Sequence, residues 1–254
     1  MSSLTSSRTG RALITAFLFL TRLPMPKLDC YEPADSGRAF PLFPLVGLVI
    51  GALLTLTAMV LAPVLPAGVI AAIVVILWVL VTGGLHLDGL GDSADGWLAG
   101  GDKERTLEIM KDPRSGSAAV VIIGCLLLLK YSALSELIEQ QHWWALCLAP
   151  VLSRAMSLLL LLTTPYVSHK GIAEDFLKHA SRQRMRLSVG LSWILAAAIL
   201  PLPQTLILMA LVAILFAGLR ALMIKRLDGA TGDTSGALIE VMEAAVLIAC
   251  LVNV

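Results

Sequence analysis

The sequence predicts an all-α polytopic membrane protein, a bundle of about seven transmembrane helices in a single integral-membrane domain over residues 1–254. Of the 254 residues, 57% are hydrophobic and only 15% are charged, whereas soluble domains have roughly 45–50% apolar and about 25% charged residues. The apolar residues form blocks near the length of about 20 residues that a spanning helix needs. The basic residues lie between alternate blocks, which is typical of membrane proteins with one fixed orientation.

Local signals define the individual elements. Residues 11–28 are predicted to form a retained N-terminal helix, interfacial or re-entrant, because the apolar stretch 12–20 is too short to span and no cleavage site follows it. Two pairs of spans are joined at APVLPAG and at LPLPQ, where proline ends one helix and starts the next. The expected spans are residues 42–62, 66–85, 117–135, 143–163, 187–202, 204–223 and 236–253.

The positions of lysine and arginine predict the orientation of the bundle. Of the 19 basic residues, 17 fall in one set of loops, Lys130 falls in the other set, and Arg154 lies within a span. Cytoplasmic loops carry the excess of basic residues, so we expect the N-terminus in the cytoplasm and the C-terminus outside. The acidic loop residues follow the same partition, apart from Glu136 and Glu139. Any chemistry is therefore expected to face the cytoplasm.

Charge balance and cysteine spacing exclude several classes of protein. The 19 basic and 18 acidic residues nearly cancel, so no overall field attracts nucleic acid. The four cysteines are far apart without a C-x-x-C spacing, and three of them lie in apolar runs. Neither a disulfide framework nor a zinc site is expected.

Residues 83–101, GGLHLDGLGDSADGWLAGG, carry three aspartates at the end of the second span. Asp88, Asp92 and Asp95 are spaced i, i+4 and i+7, so a helix places them on one face. Such like charges repel each other, and a divalent cation would remove the repulsion; ligation by oxygen alone suits Mg²⁺ or Mn²⁺. The alternative is a solvated helix start whose acids favour the helix dipole. Five interleaved glycines are expected to let a bulky ligand approach the backbone: Gly83, Gly84, Gly89, Gly91 and Gly96.

A second acidic cluster, KRLDGATGDTSG at residues 225–236, lies beside another span on the same side of the membrane. Taken alone, its D-G dipeptide indicates a turn between two helices. Two glycine-rich acidic clusters at one end of a bundle instead predict a shared polynuclear metal site, to which Asp228 and Asp233 would contribute. Both interpretations remain open at this point.

The segment MKDPRSGSAA, residues 110–119, is a candidate phosphate site. It places Lys111, Arg114 and Ser115 before the start of a span. Free backbone N–H groups at a helix start and nearby cations favour phosphate. The alternative is ordinary flanking charge with a helix cap.

Ionisable residues also lie inside or beside the apolar segments. Arg154 sits within a span, at a cost of about 2.5 kcal/mol or more, so it should face the interior and pair with an aspartate, a substrate phosphate or a structural partner. His86 precedes the first aspartate and is a candidate ligand-orienting residue. Glu240 and Glu243 share one face of the last span and are expected to turn inward.

Six segments carry a family resemblance through their order and spacing: FLTRLPMP (19–26), FPLVGLVIG (43–51), GGLHLDGLGDSADGW (83–97), MKDPRSGS (110–117), LSRAM (152–156) and LDGATGD (227–233). Together they resemble the bacterial cobalamin synthase family, the adenosylcobinamide-GDP ribazoletransferases. The resemblance covers most of the chain and implies a multi-pass enzyme of the bacterial inner membrane, surrounded by lipid, with Mg²⁺ as its cofactor. Residues 165–186 match least and receive no role.

The implied reaction transfers the phosphoryl-linked cobinamide group of adenosylcobinamide-GDP to a ribose hydroxyl of α-ribazole or its 5′-phosphate. GMP leaves, and adenosylcobalamin or its 5′-phosphate forms. Under this resemblance the five aspartates would be catalytic and hold Mg²⁺, with Asp95 as the expected proton acceptor, and the corrin ring would stay at the cytoplasmic surface. The implied substrate-binding residues are Arg22, His86, Lys111, Arg114, Ser115 and Arg154. A homo-oligomer or a complex with other corrinoid-pathway enzymes is left open.

Two other functions fit parts of the sequence. A CDP-alcohol phosphotransferase also joins an alcohol to a phosphoryl donor at a membrane surface, but its D-G-x-x-A-R pattern places alanine where this chain has Asp92. An ion or metabolite transporter would explain charge near the membrane. Transporters usually contain related halves and interrupted helices near the midplane, and this sequence shows no internal repeat.

Overall fold

The structure, a computed structural model, describes residues 7–28, 33–167, 177 and 179–252. A 3₁₀-helix at Phe40–Leu42 and eleven α-helices lie within these residues. The α-helices are α1 Arg8–Leu20, α2 Pro33–Ala39, α3 Phe43–Leu61, α4 Ala67–Thr82, α5 Leu85–Leu98, α6 Lys103–Ile109, α7 Ser117–Glu139, α8 Trp143–Thr163, α9 Arg182–Ile199, α10 Leu202–Leu227 and α11 Gly232–Ala249.

The N-terminal helix forms as predicted but is shorter than residues 11–28. It ends at Leu20, and the following chain up to residue 28 is not helical, because Pro24 and Pro26 lack the N–H groups that a continued helix would need. One face of α1 is buried against α2 and α3. An ion pair of 2.7 Å between Arg11 Nε and Asp35 Oδ2 joins α1 to α2.

All seven predicted spans are helical, and the fold is that of an all-α polytopic membrane protein. Among the described residues, four helical segments are long and apolar enough to cross a membrane, and the bent pair α4 and α5 gives a fifth candidate. The first of the four combines α2, the 3₁₀-helix and α3; the others are α7, α8 and α10. Of the remaining two, α9 begins with Arg182, Arg184 and Arg186, and α11 contains three acidic residues, so their composition is less apolar.

A sharp bend separates α4 from α5. The two helices meet at 88°, and the bend consists of Gly83 and Gly84 with φ values of 65° and 69°. Both residues occupy the left-handed region, which glycine adopts without steric cost. The predicted second span, residues 66–85, therefore ends at the bend, and α5, which carries the first aspartate motif, turns away from α4.

Helix α8 is the centre of the bundle, because 83% of an 18-residue apolar stretch of this helix is buried. It packs against α3, α9 and α11. Helix α11 in turn lies between α8 and α5. Apolar side chains point outward from the peripheral helices, as expected for surfaces that face lipid. Examples are Val60, Ile76, Leu128, Ile194, Leu206 and Ile214.

Contacts between connecting segments support the predicted alternation of ends. The turn after α3 and the turn after α7 line one cavity together, so they share one end of the bundle. At the other end, Arg220 donates to the carbonyl oxygen of Thr163 at 2.6 Å, and Lys103 pairs with Asp228. The basic-rich loops are thus gathered at one end.

Two details concern single residues. Lys130, which lies in the predicted span 117–135 but was counted with the loop after it, is buried within α7, and α7 continues to Glu139 rather than ending at 135. Cys125, Cys147 and Cys250 are free, and Cys30 lies outside the described residues.

Candidate active site

The first aspartate motif is helical, as its spacing predicts. Asp88, Asp92 and Asp95 lie on one face of α5, with Asp88 exposed and the other two half-buried. None of the three forms an ion pair within the described part of the chain. The motif therefore presents three carboxylates that have no cationic partner in the described part of the chain.

The two acidic clusters meet where α5 crosses the start of α11. A Cβ atom built on Gly89 would lie 2.6 Å from the carbonyl oxygen of Asp233, so only glycine allows the two backbones to approach this closely. A Cβ atom on Gly236 would likewise lie 3.3 Å from the Cα of His86. Residues 145 positions apart in sequence, Asp88 and Asp233, consequently line the same cavity.

Contacts of the α5 glycines differ from the expectation that they open space for a ligand. A Cβ on Gly91 would lie 3.1 Å from the Cβ of Ala119, and a Cβ on Gly96 would lie 2.7 Å from the Cγ of Met110. These positions contact neighbouring helices. Their small size serves close helix packing, as small residues do elsewhere in membrane bundles.

The cavity between the clusters has a volume of about 150 Å³ and is partly enclosed. Burial first, and then repulsion by Asp88, Asp233 and Asp95, raises the pKa of Asp92 to about 6. Burial and nearby negative charges each raise the pKa of a carboxyl group, because both disfavour its ionised form. The residues lining the cavity are Phe19, Leu20, Phe40, Phe43, Leu85, His86, Asp88, Ser157, Leu161, Tyr166, Gly232, Asp233, Ser235, Gly236 and Ile239.

Asp95 has a different environment from Asp88 and Asp92. Its two carboxylate oxygens accept hydrogen bonds from the backbone N–H groups of Gly116, at 2.6 Å, and Ala119, at 3.0 Å. Asp95 therefore caps the N-terminus of α7 from a neighbouring helix, where a negative charge is favourable. Two of the N–H groups that the sequence indicated for phosphate, those of Gly116 and Ala119, already have this partner.

Asp228 also lies apart from the cavity. It ends α10 in the left-handed conformation, with φ 59°, so the D-G turn that the sequence left open is present. Its side chain is 74% exposed and pairs with Lys103 at 2.9 Å. The turn itself is held by an isolated parallel β-bridge between the backbones of Tyr166 and Ala230.

A capping box positions the other aspartate of this segment. The Thr231 hydroxyl accepts from the Thr234 N–H at 3.2 Å, and the Thr234 hydroxyl accepts from the Thr231 N–H at 2.8 Å. This reciprocal cap fixes the first turn of α11. Asp233, two residues after the cap, is thereby held against Gly89.

Metal ligation was the main sequence prediction for these aspartates. Within the described residues, no group of three or more histidine, cysteine, aspartate or glutamate side chains is arranged to hold a metal ion. The chemistry of the donors still fits a hard cation, because Asp88, Asp92 and Asp233 supply oxygen only. Mg²⁺ commonly takes one or two carboxylates and completes its shell with water and substrate phosphate, so a preformed cage is not required.

The candidate phosphate-binding cations lie at the same end of the protein. The Arg22 side chain packs over Gly83 at the bend, while Lys111 and Ser115 are exposed. Arg114 is 87% exposed and forms a bidentate pair with Asp112, at 2.9 and 2.6 Å. The hydrogen bonds from Arg114 lower the pKa of Asp112 to about 2.

Arg154 is placed in the interior and not at the cavity. Its side chain is fully buried in an ion pair with Glu243, and Lys130 pairs with Glu240 at 2.6 Å and with Glu243. Lys130 Nζ also lies 4.7 Å from the centre of the Trp78 ring. We call these four charged residues the buried ion network. Arg154 thus has the structural ion-pair partner that was one of the alternatives from the sequence, and the two glutamates turn inward as predicted.

Sequence reasoning missed the apolar part of the cavity. Phe19, Phe40 and Phe43 come from α1, the 3₁₀-helix and α3. The ring centroids of Phe19 and Phe43 are 5.7 Å apart, and those of Phe40 and Phe43 are 5.0 Å apart. Tyr166 follows directly after α8, in a segment that received no role. The F-P-L-F-P run at residues 40–44, which places two aromatic rings at a helix start, was the available signal.

Comparisons with known proteins agree with the resemblance. The family model for cobalamin-5-phosphate synthase matches residues 12–251. A relative from Pseudomonas fluorescens strain SBW25, named adenosylcobinamide-GDP ribazoletransferase, is 48% identical over 239 residues, covering 92% of this chain and 96% of its own. Relatives of the same name from Stutzerimonas stutzeri strain A1501 and Pseudomonas aeruginosa strain PAO1 are 44% and 45% identical, covering 95% and 94% of this chain and 98% and 97% of their own. No solved structure matches the chain.

Proposed function

Because the chain belongs to the cobalamin-5-phosphate synthase family, we propose that it catalyses the adenosylcobinamide-GDP ribazoletransferase reaction at the acidic end of its bundle. The observation that carries the location is the contact between Gly89 and Asp233, which joins two aspartate motifs at one cavity. The three relatives bear this enzyme name and not that of a CDP-alcohol phosphotransferase or a transporter.

In the proposed reaction, a ribose hydroxyl of α-ribazole, or of its 5′-phosphate, attacks the phosphorus joined to the cobinamide side chain. A new P–O bond forms, the P–O bond to GMP breaks, and the hydroxyl proton passes to a carboxylate of the Asp88, Asp92 and Asp233 cluster. Asp95 is less suited to receive it, because both of its oxygens accept backbone hydrogen bonds.

The proposed cofactor is Mg²⁺, held by Asp88, Asp92 and Asp233. When bound, this ion would neutralise charge on the diphosphate and on the departing GMP. Repulsion among the three carboxylates supports the assignment, since a cation relieves it. Asp95 and Asp228 are left out of the proposed ligand set, because one caps α7 and the other pairs with Lys103.

Exposed cations at the same end would hold the donor's phosphates. Arg22 lies at the bend that begins α5, and Lys111 is exposed, so both are available to an incoming diphosphate. Arg114 would exchange Asp112 for a phosphate oxygen, since its guanidinium forms bidentate pairs with either anion. A diphosphate held in this way would bring its cobinamide-linked phosphorus toward the carboxylates, with the large corrin ring outside.

The proposed orientation places this end in the cytoplasm. The loops predicted to share this side of the membrane hold 17 of the 19 basic residues in the sequence, and the positive-inside rule assigns such loops to the cytoplasmic face. Reporter fusions after residue 64 and after residue 101 test it. A reporter that is active only outside the cytoplasm should be active after residue 64 and inactive after residue 101, and a reporter that is active only in the cytoplasm should show the opposite pattern. The reverse pattern would overturn the orientation.

The activity test uses the full chain purified in detergent with adenosylcobinamide-GDP and α-ribazole. We expect release of GMP that requires Mg²⁺, stops on chelation, and falls sharply in Asp88→Asn and Asp92→Asn. Glu104→Gln is the matched control, an exposed acidic residue on α6 outside the cluster. Near wild-type rates in both aspartate variants at saturating Mg²⁺ would refute the metal assignment.

A further inference from the structure

The cavity beside Asp88 and Asp233 has an aromatic side that the proposed chemistry does not use. Phe19 stacks on Phe43 with an interplanar angle of 17°, and Phe40 meets Phe43 at 50°. These rings belong to α1, the 3₁₀-helix and α3, which contribute none of the aspartates. An apolar wall at a phosphoryl-transfer site needs a ligand group that is itself apolar.

The lining of the cavity also contains polar side chains. The hydroxyls of Ser157 and Ser235 share a hydrogen bond of 2.9 Å. His86 is 3% exposed, and neither ring nitrogen has a hydrogen-bond partner among the described residues. A buried polar group without a partner costs free energy, so an imidazole in this position favours a ligand that offers it one hydrogen bond.

We propose that this cavity binds the benzimidazole base of the acceptor nucleoside, with the ribose directed toward Asp88 and Asp233. The inference rests on the proposed function, which supplies α-ribazole as the acceptor. The base would lie against the three phenylalanine rings, and its one unsubstituted ring nitrogen would accept a hydrogen bond from His86. The subsite thus joins the acceptor's recognition to the carboxylates that receive its proton.

Size and polarity favour this base over the other parts of the two substrates. An apolar cavity of roughly 150 Å³ is known to accommodate a benzene ring, and this cavity of about 150 Å³ is only partly enclosed, so a fused second ring can extend to its opening. The corrin macrocycle is far too large. Guanine carries several amide and amino groups, each of which would lose hydrogen bonds with water against a phenylalanine wall.

The main test narrows the cavity at Leu161, a half-buried residue of its lining. We expect Leu161→Phe to raise the KM for α-ribazole roughly tenfold or more, with the KM for adenosylcobinamide-GDP unchanged. The riboside of unsubstituted benzimidazole should be less affected, because it lacks the two methyl groups that the base of α-ribazole carries. Leu162→Phe, at the adjacent half-buried residue outside the lining, should leave both KM values unchanged.

His86 provides a second variant with a distinct kinetic signature. His86→Leu removes the N–H donor and should raise the KM for α-ribazole roughly three- to tenfold, with little change in kcat. His86→Gln, which keeps a donor, should restore part of the loss. Equal effects of both variants on kcat alone would contradict recognition by this imidazole.

Direct binding to the wild-type chain keeps the test independent of variant folding. Calorimetry without the donor should detect binding of α-ribazole to the wild-type chain, and guanosine should not displace the bound α-ribazole. Displacement by guanosine, or a Leu161→Phe effect on the donor's KM, would assign the cavity to the donor and overturn the proposal. If wild-type protein releases no GMP with both substrates and Mg²⁺, the proposed function fails; if it does and the KM values stay unchanged in Leu161→Phe, only the subsite fails.

Discussion

Acidic side chains occupy two contrasting environments in this protein. Asp88, Asp92 and Asp233 crowd together at the end of the bundle without a cationic partner in the described residues. Glu240 and Glu243, about two and three turns further along α11, are buried in ion pairs with Lys130 and Arg154. One helix thus begins with an uncompensated carboxylate and continues with compensated ones.

The contrast separates carboxylates whose charge only a bound cation could balance from carboxylates whose charge protein cations already balance. A buried charge that loses its partner costs several kcal/mol, so the buried ion network should be essential for folding. Removing a charge from a repulsive cluster relieves repulsion, so the aspartate cluster should contribute nothing favourable to stability without its cation. Position within the membrane is therefore less informative about function than the presence or absence of a protein partner.

The largest expected effect is the loss of activity in Asp233→Asn. Without this carboxylate, transfer should slow by at least about 10²-fold, which corresponds to roughly 2.7 kcal/mol of transition-state stabilisation. The temperature of unfolding in detergent, measured without Mg²⁺, should not fall, because repulsion within the cluster decreases. A variant that loses activity only in proportion to its loss of folded protein would contradict this separation.

The opposite pattern is expected for Glu243→Gln in the buried ion network. This variant leaves Lys130 and Arg154 facing one buried glutamate, and the free energy of unfolding should fall by about 3–5 kcal/mol. Chemical or thermal unfolding in detergent measures the change, with the exposed Glu136→Gln on α7 as the control. The double variant Arg154→Met with Glu243→Leu should cost less than Glu243→Gln, since it removes both charges of one pair. A double variant that costs more would show that the pairing is not the source of stability.

The contact between α5 and α11 connects the two environments, and Gly89→Ala tests it. The added Cβ would lie 2.6 Å from the Asp233 carbonyl oxygen, so the helices must separate, at a cost of roughly 1–3 kcal/mol, and activity should fall as Asp88 and Asp233 move apart. Gly124→Ala on α7, where a Cβ meets no atom within 4 Å, should be neutral or stabilising by about 0.5–1 kcal/mol. Similar results for the two variants would show that the close approach is not needed.

The sequence was sufficient where one short segment determines the outcome. Seven apolar runs and their flanking prolines predicted seven helices, and the i, i+4, i+7 spacing correctly put three aspartates on one face of α5. Pairings across the fold were not readable: Lys130 was counted with an outer loop because it lies near the end of its predicted span, and its partners Glu240 and Glu243 lie more than a hundred residues away.

The same limit explains the parts of the site that changed. Asp95 has the motif spacing of a ligand, but its role as a cap depends on where the N-terminus of α7 packs. The phenylalanine wall depends on three segments converging, although Phe40 and Phe43 are close in sequence. Local periodicity predicts which face a residue occupies, and only the packing of helices decides what that face meets.

The smallest expected effect concerns Asp228, an acidic residue that has an ion-pair partner but remains exposed to solvent. Lys103 pairs with Asp228 at 2.9 Å, with side chains 34% and 74% exposed, and such surface pairs contribute about 0–1 kcal/mol. Lys103→Ala should therefore change the free energy of unfolding by less than about 1 kcal/mol, and 0.5 M salt should reduce the difference further because it screens exposed charges. Unfolding titrations of wild type and variant at two salt concentrations measure this. A loss comparable to that of Glu243→Gln would mean that Asp228 depends on its partner as strongly as the buried acids do, and the proposed distinction between exposed and buried pairs would not hold.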